Sequence, residues 1–195
     1  MKSLQDHNFN HNLNRHLHTV VISNAKLQSF EPVTPANARC LILGSMPGTA
    51  SLDANQYYAH PRNGFWKILQ SIYDGDIETY EHRLKLLERN RIALWDSLKH
   101  CHRPGSLDSN IATDSVECND FNTLLQQNPT IKLIAFNGRA AEKWFRKLAL
   151  PGLDTADTCT MVSLPSSSPA MAMLSVEEKT EQWRTGASLQ AVACS

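Results

Sequence analysis

Two stretches in the first half of this chain concentrate residue types that can do chemistry. Gly44-Ser45-Met46-Pro47-Gly48 sets a hydroxyl in a loop punctuated by glycine and proline. Tyr57-Tyr58-Ala59-His60-Pro61-Arg62-Asn63 then brings two aromatic rings, an imidazole, a guanidinium and an amide just ahead of Gly64-Phe65-Trp66-Lys67. A third stretch, Leu164-Pro165-Ser166-Ser167-Ser168-Pro169, offers three hydroxyls in another short loop. Asp96 and Asn137 complete the set, each at the end of an apolar run. An aromatic face stacks on a flat ligand, an amide both donates and accepts, and a hydroxyl holds a water or a phosphate. Each residue also has a plain structural use. A serine in a Gly/Pro loop makes turn hydrogen bonds, and Tyr58 can pack its loop against the fold. Asn63 stands where the N-cap of the next helix belongs, and Asp96 and Asn137 stand where turns and caps are needed.

The elements that must position these residues are legible from periodicity. Four apolar runs, Cys40–Leu43, Ile92–Trp95, Ile131–Phe136 and Thr160–Leu164, read as buried strands. Between them, Phe65, Ile68, Leu69 and Ile72 recur at helical spacing, as do Tyr80, Leu84 and Leu87. Phe121, Leu124 and Leu125 predict a short helix opened by Asn119-Asp120 and stopped near Pro129; Ala141, Trp144, Phe145 and Leu148 predict another, ended by Pro151-Gly152. Ser175-Val176-Glu177-Glu178 is a capping box opening a last helix through Trp183. Strands alternating with helices imply a three-layer α/β/α sandwich around a central, mainly parallel four-stranded sheet. In such sheets ligands bind beyond the carboxyl ends of the strands, where the candidate residues fall.

Bulk properties set the bounds. At 195 residues the chain suits one domain with a sizeable core. Lys plus Arg equals Asp plus Glu at 19 each, which argues against a protein that coats long stretches of phosphate but not against one that grips a few. Cys40, Cys101, Cys118, Cys159 and Cys194 show no CxxC pair and no ligand spacing, so reduced thiols in a cytoplasmic protein are expected, with no metal and no cofactor. No apolar segment is long enough to span a membrane. Residues 1–28, with His7, His11, His16 and His18 among asparagines, read as a flexible extension ahead of a folded domain over 29–190. Arg139, Lys143, Arg146 and Lys147 form a basic stripe of the kind that is usually a solvated helix face.

Taken together, the three loop segments resemble the uracil-DNA glycosylase superfamily, most closely its hypoxanthine (deoxyinosine) DNA glycosylase branch, over roughly residues 30 to 185. The resemblance implies a metal-free, monofunctional, monomeric enzyme of base-excision repair acting on DNA that contains a deaminated base. It would hydrolyse an N-glycosidic bond through an oxocarbenium-like transition state, with the base flipped from the stack.

On that resemblance the residues take roles. Tyr58-Ala59-His60-Pro61 matches a Phe-Ala-His-Pro stretch whose aromatic lies over the flipped base, so Tyr58 stacks and His60 lines the pocket, as do Gly44, Met46 and Pro47 of the first loop. Relatives carry Asp or Asn where this chain has Met46, and a thioether cannot orient water. Asn63 is therefore the candidate for water activation, against its competing use as a helix cap, with Ser45 as a second group able to hold water or phosphate. Asp96 and Asn137 would read the base edge. Arg62, Ser166, Ser167 and Ser168 would contact phosphates, which position a duplex rather than specify its sequence; Leu164 replaces the His or Asn that commonly begins this loop. Two base choices stay open, hypoxanthine and uracil. So do two other readings, a small esterase with Ser45 as nucleophile and a nucleic-acid-binding module of the same fold without catalysis.

Overall fold

The computed structural model describes residues 26–154 and 156–186. Along the chain run β1 (Lys26–Gln28), β2 (Cys40–Gly44), α1 (Thr49–Ala54), α2 (Phe65–Tyr73), α3 (Tyr80–Arg89), β3 (Ile92–Asp96) and β4 (Leu98–His102). Then follow β5 (Glu117–Cys118), α4 (Phe121–Gln127), β6 (Leu133–Asn137), α5 (Arg139–Trp144), β7 (Thr160–Leu164) and α6 (Val176–Gly186).

Because side chains alternate across a strand, each central strand feeds two cores. Ile42, Leu94 and Ala135 face one side, where they pack with Phe65, Ile68 and Leu69 of α2, Leu86 and Leu87 of α3, and Trp183 of α6. Leu41, Leu43, Ala93, Ile134 and Phe136 face the other, against Phe121, Leu124 and Leu125 of α4, Ala141 of α5, and Phe145. A sheet buried on both faces explains why its strands read as continuous apolar runs. The expected three layers are therefore present.

The central sheet is parallel throughout and ordered β3-β2-β6-β7. Its register aligns the carboxyl ends: Gly44 pairs with Asp96, and Asn137 with Leu164. Following the chain, β3 lies on one side of β2 and β6 on the other. The direction of winding thus reverses between β2 and β6, the point at which such sheets open a crevice for a ligand.

A second sheet was not legible in sequence. β1, β4 and β5 form a small antiparallel sheet, with Lys26 paired to His102 and Leu98 to Cys118. Lys26–Gln28, the last three residues of the expected extension, form a paired strand. Residues 1–25, with the four histidines, and residues 187–190 lie outside the described residues. The expected helix through Leu148 changes pitch at Phe145, continuing as a π turn over Phe145–Ala149. Its basic stripe is occupied locally: Arg146 pairs with Glu142 at 2.8 Å, and the Lys143 ammonium lies 4.7 Å from the Trp144 ring centre. The capping box is realised in both directions, Ser175 N–H to Glu178 and Glu178 N–H to Ser175. No helix among the described residues is long and apolar enough to cross a membrane.

Candidate active site

A cavity of about 450 Å³ opens at the carboxyl edge of the central sheet. All three loops flagged in sequence line it, together with Asp96 and Asn137. Gly44, Asp96 and Asn137 end β2, β3 and β6, Ser45, Met46 and Pro47 come from the turn after β2, and Ser166–Ser168 from the loop after β7. Tyr58, His60, Arg62 and Asn63 come from the stretch preceding α2. The volume suits a small planar ligand.

The floor is the corner formed by Gly44, Asp96 and Tyr58. A methyl group on Gly44 would overlap Asp96 Oδ1 and lie 3.0 Å from Tyr58 Oη, so only glycine leaves this corner open. Asp96 is 3% exposed and its Oδ2 has no hydrogen-bond partner. Burial, opposed by nearby Arg103 and reinforced by Asp108, pushes its carboxyl up to about 8. Burial thus favours its neutral form, which can donate as well as accept. Tyr58 holds φ 54°, a left-handed conformation that non-glycine residues adopt at a cost. Its ring stacks on Phe65, with centroids 3.9 Å apart. Its hydroxyl lies toward Asn137 without completing a hydrogen bond to it.

Asn63 combines the two roles that sequence leaves open. Its Oδ1 accepts from Phe65 N–H at 3.0 Å, which ties down the first turn of α2, while Gly64 occupies the cap position itself. A carbonyl oxygen has a second lone pair, and Asn63 lines the cavity. His60 Nδ1 accepts from Arg62 N–H at 3.1 Å, so its ring nitrogen braces the loop, and Arg62 stands exposed at the rim.

On the far wall Ser167, read in sequence as a phosphate donor, lines the cavity but is 1% exposed, with its polar groups engaged by Asn137. Asn137 Nδ2 donates to Ser167 Oγ at 2.8 Å, and Ser167 N–H donates to Asn137 Oδ1 at 2.7 Å. The pair fixes which way the Asn137 amide faces and leaves one N–H and one lone pair for a ligand. Ser166 and Ser168 remain partly accessible. Helix α6 straps this loop, with Trp183 Nε1 donating to Pro165 O and the buried Lys179 ammonium donating to Met171 O.

Met46 lines the cavity, yet its side chain is 5% exposed and packs with Leu98, Cys101, Ile111 and Trp144. Charged groups beside this loop come from a segment that carried no assignment in sequence. The Arg103 side chain is buried and donates to the carbonyls of Met46, Pro47 and Gly105. Asp108, from the same segment, accepts the Ser45 hydroxyl at 2.7 Å and lies 3.5 Å from Arg103 Nη1. Ser45 thus donates to a carboxylate and, among the described residues, makes no bond to an imidazole, which removes the arrangement an esterase nucleophile requires. Among the described residues no cluster of three His, Cys, Asp or Glu could hold a metal ion.

The crowding at Gly44 carries a prediction. Gly44→Ala is expected to lower unfolding stability by about 1–3 kcal/mol, the range for overpacking a filled corner. Denaturant unfolding measures it. A midpoint equal to that of the parent would mean Asp96 and Tyr58 yield freely.

The family model described as the Uracil DNA glycosylase superfamily matches residues 31–188. A hypoxanthine DNA glycosylase of Methanosarcina barkeri (strain Fusaro / DSM 804) is 41% identical over 132 residues, covering 67% of this chain and 82% of that protein. One from Methanosarcina acetivorans is 38% identical over 156 residues, covering 79% of this chain and 94% of that protein. The solution NMR structure of a Methanosarcina acetivorans protein provisionally named a uracil DNA glycosylase superposes with a TM-score of 0.68 at 35% identity, over 85% of this chain and 99% of that one.

Proposed function

This chain belongs to the uracil DNA glycosylase superfamily, and on that premise we propose that it is a DNA glycosylase that hydrolyses the N-glycosidic bond of a deaminated base, hypoxanthine first. The observation that carries the reading is the buried carboxyl of Asp96 in the floor of the cavity, whose Oδ2 has no hydrogen-bond partner. Hypoxanthine presents an N1–H donor beside an O6 acceptor. A neutral carboxyl answers both with its own acceptor and donor, whereas an ionised one would meet O6 with like polarity. Uracil carries the same lactam edge and is the second candidate base. Tyr58, backed by Phe65, offers the stacking platform, worth about 1–3 kcal/mol per base. Asn137, oriented by Ser167, meets a further edge.

Reaching this floor requires the nucleotide to leave the duplex stack. Arg62, Ser166 and Ser168 at the rim are suited to hold the flanking phosphates. The enzyme so proposed is monomeric and works in a cytoplasmic setting, where its cysteines would stay reduced. Labelled duplexes with a single inosine, uracil or xanthine, followed by alkaline cleavage, test the reading. Inosine strands are expected to become alkali-labile fastest. Tight binding to all three without cleavage would select the non-catalytic module.

A further inference from the structure

Water attack on a flipped nucleotide leaves a proton to be removed and a positive sugar to be offset. Neither an amide nor a thioether does both, and the first loop of this chain offers only Met46 at the relevant place. The gap is filled from outside that loop. Strand β4 leaves the central sheet immediately after β3: Ser97 N–H donates to Gly44 O, and Leu98 N–H to Ser45 O. It delivers Arg103, whose buried guanidinium holds the Met46 and Pro47 carbonyls, and then returns Asp108 over the first loop.

Resting on the reading above, we propose that Asp108 is the catalytic carboxylate of this site, accepting the proton of the attacking water and offsetting the charge that develops on the deoxyribose. Its Oδ1 is engaged twice, by the Ser45 hydroxyl at 2.7 Å and by Arg103 Nη1 at 3.5 Å. That leaves Oδ2 as the acceptor. The side chain lines the cavity and is 41% exposed, accessible to a water yet held on one side. Ser45 is then a positioning residue, and Arg103 anchors the arrangement from beneath.

In the step, a water O–H bond breaks and its proton passes to Asp108 Oδ2. The water oxygen bonds to C1′ while the C1′–N9 bond breaks, and that electron pair leaves with the purine. The hypoxanthine anion takes a proton from solvent, and Asp108 returns its own. Asn63 orients the water through its second lone pair, a task an amide can perform, while Asp108 performs the one it cannot.

The charged and titratable groups around Asp108 are Arg103 on its own segment, Asp96 at the end of β3, Tyr58 before α2 and Cys101 in β4. Burial pushes the Asp108 carboxyl above the usual carboxylate range, against the pull of Ser45 and Arg103. The rate should therefore fall on the acid side as Asp108 takes up its proton.

The test is single-turnover base release from an inosine duplex across pH for the full chain, Asp108→Asn and Ser45→Ala, with melting and duplex binding measured in parallel. Asp108→Asn is expected to be about 100-fold slower at neutral pH, at the lower end for a general base, and to lose the acid limb while still binding the duplex. Asp108→Asn keeps an oxygen that can accept the Ser45 hydroxyl, whereas Ser45→Ala breaks that tie but keeps the carboxylate, so Ser45→Ala should stay within about 10-fold and retain the limb. An Asp108→Asn rate close to the parent's, or equal losses in both variants, would reduce Asp108 to a loop anchor. If the parent itself releases no base, the underlying reading fails instead.

Discussion

Asn63→Ala is expected to release hypoxanthine between about 100- and 1,000-fold more slowly than the parent in single turnover, while still binding inosine-containing DNA. The reason is geometric. The Asn63 amide oxygen is already pinned by Phe65 N–H, so its second lone pair has a fixed direction, and Asn63 lines the cavity. A preset acceptor orients water without reorganising in the transition state, and that is where such groups have their largest effects. Losing the bond to Phe65 alone would cost only about 1 kcal/mol of stability. Asn63→Asp separates the two contributions, since it keeps an acceptor for both Phe65 N–H and the water. It should melt near the parent and recover most of the rate. An Asn63→Ala protein that melts earlier but reacts at the parent rate would confine Asn63 to holding the start of α2.

Replacing Asp96 should have the largest effect of all, and its sign depends on the replacement. Asp96→Ala is expected to lose about 1,000-fold, because two hydrogen bonds to the lactam edge vanish and a buried polar ligand is left unpaired. Asp96→Asn is expected to remain within about 10-fold, because an amide of the same shape also donates and accepts. The pH dependence follows from the same state. Asp96 must be protonated to donate, and its carboxyl sits at about 8, with Arg103, Asp108, Tyr57 and Tyr58 around it. The parent's rate should therefore fall as pH rises through that value, whereas Asp96→Asn should not share that fall. Ionisation of the lesion's own N1–H affects both proteins alike, so the difference between the profiles isolates Asp96. An inactive Asp96→Asn beside a parent that speeds up with alkali would mean the ionised carboxylate is the working form.

What sequence disclosed and what it hid divide along physical lines. The central strands were legible because Ile42, Leu43, Ala93, Leu94, Ile134 and Ala135 are buried on both faces and leave uninterrupted apolar runs. Asp96 and Asn137 could be placed because they end those runs, and Tyr58–Asn63 because so many chemical types crowd ahead of an amphipathic helix. Arg103 and Asp108 were not legible. Strand β4 buries only Leu98 and Cys101, three residues apart, a spacing that signals neither strand nor helix clearly. Arg103 binds backbone carbonyls, which every residue supplies, so no partner type marks it. The sequence signal that could have found them is slight: Pro104-Gly105 is a turn pair, with the acidic Asp108 soon after it. The Asn137–Ser167 clamp joins residues 30 apart, a pairing that only the folded register of β6 and β7 creates.

The central claim, hydrolysis of a deaminated purine from its sugar, is tested most directly by identifying the product. An excess of the full chain is incubated with a duplex carrying one inosine, and free base and alkali-labile sites are both quantified by mass spectrometry and strand cleavage. Free hypoxanthine should appear in equal amount to alkali-labile sites, with the strand intact until alkali is added. An intact inosine strand, or strand scission without free hypoxanthine, would contradict it.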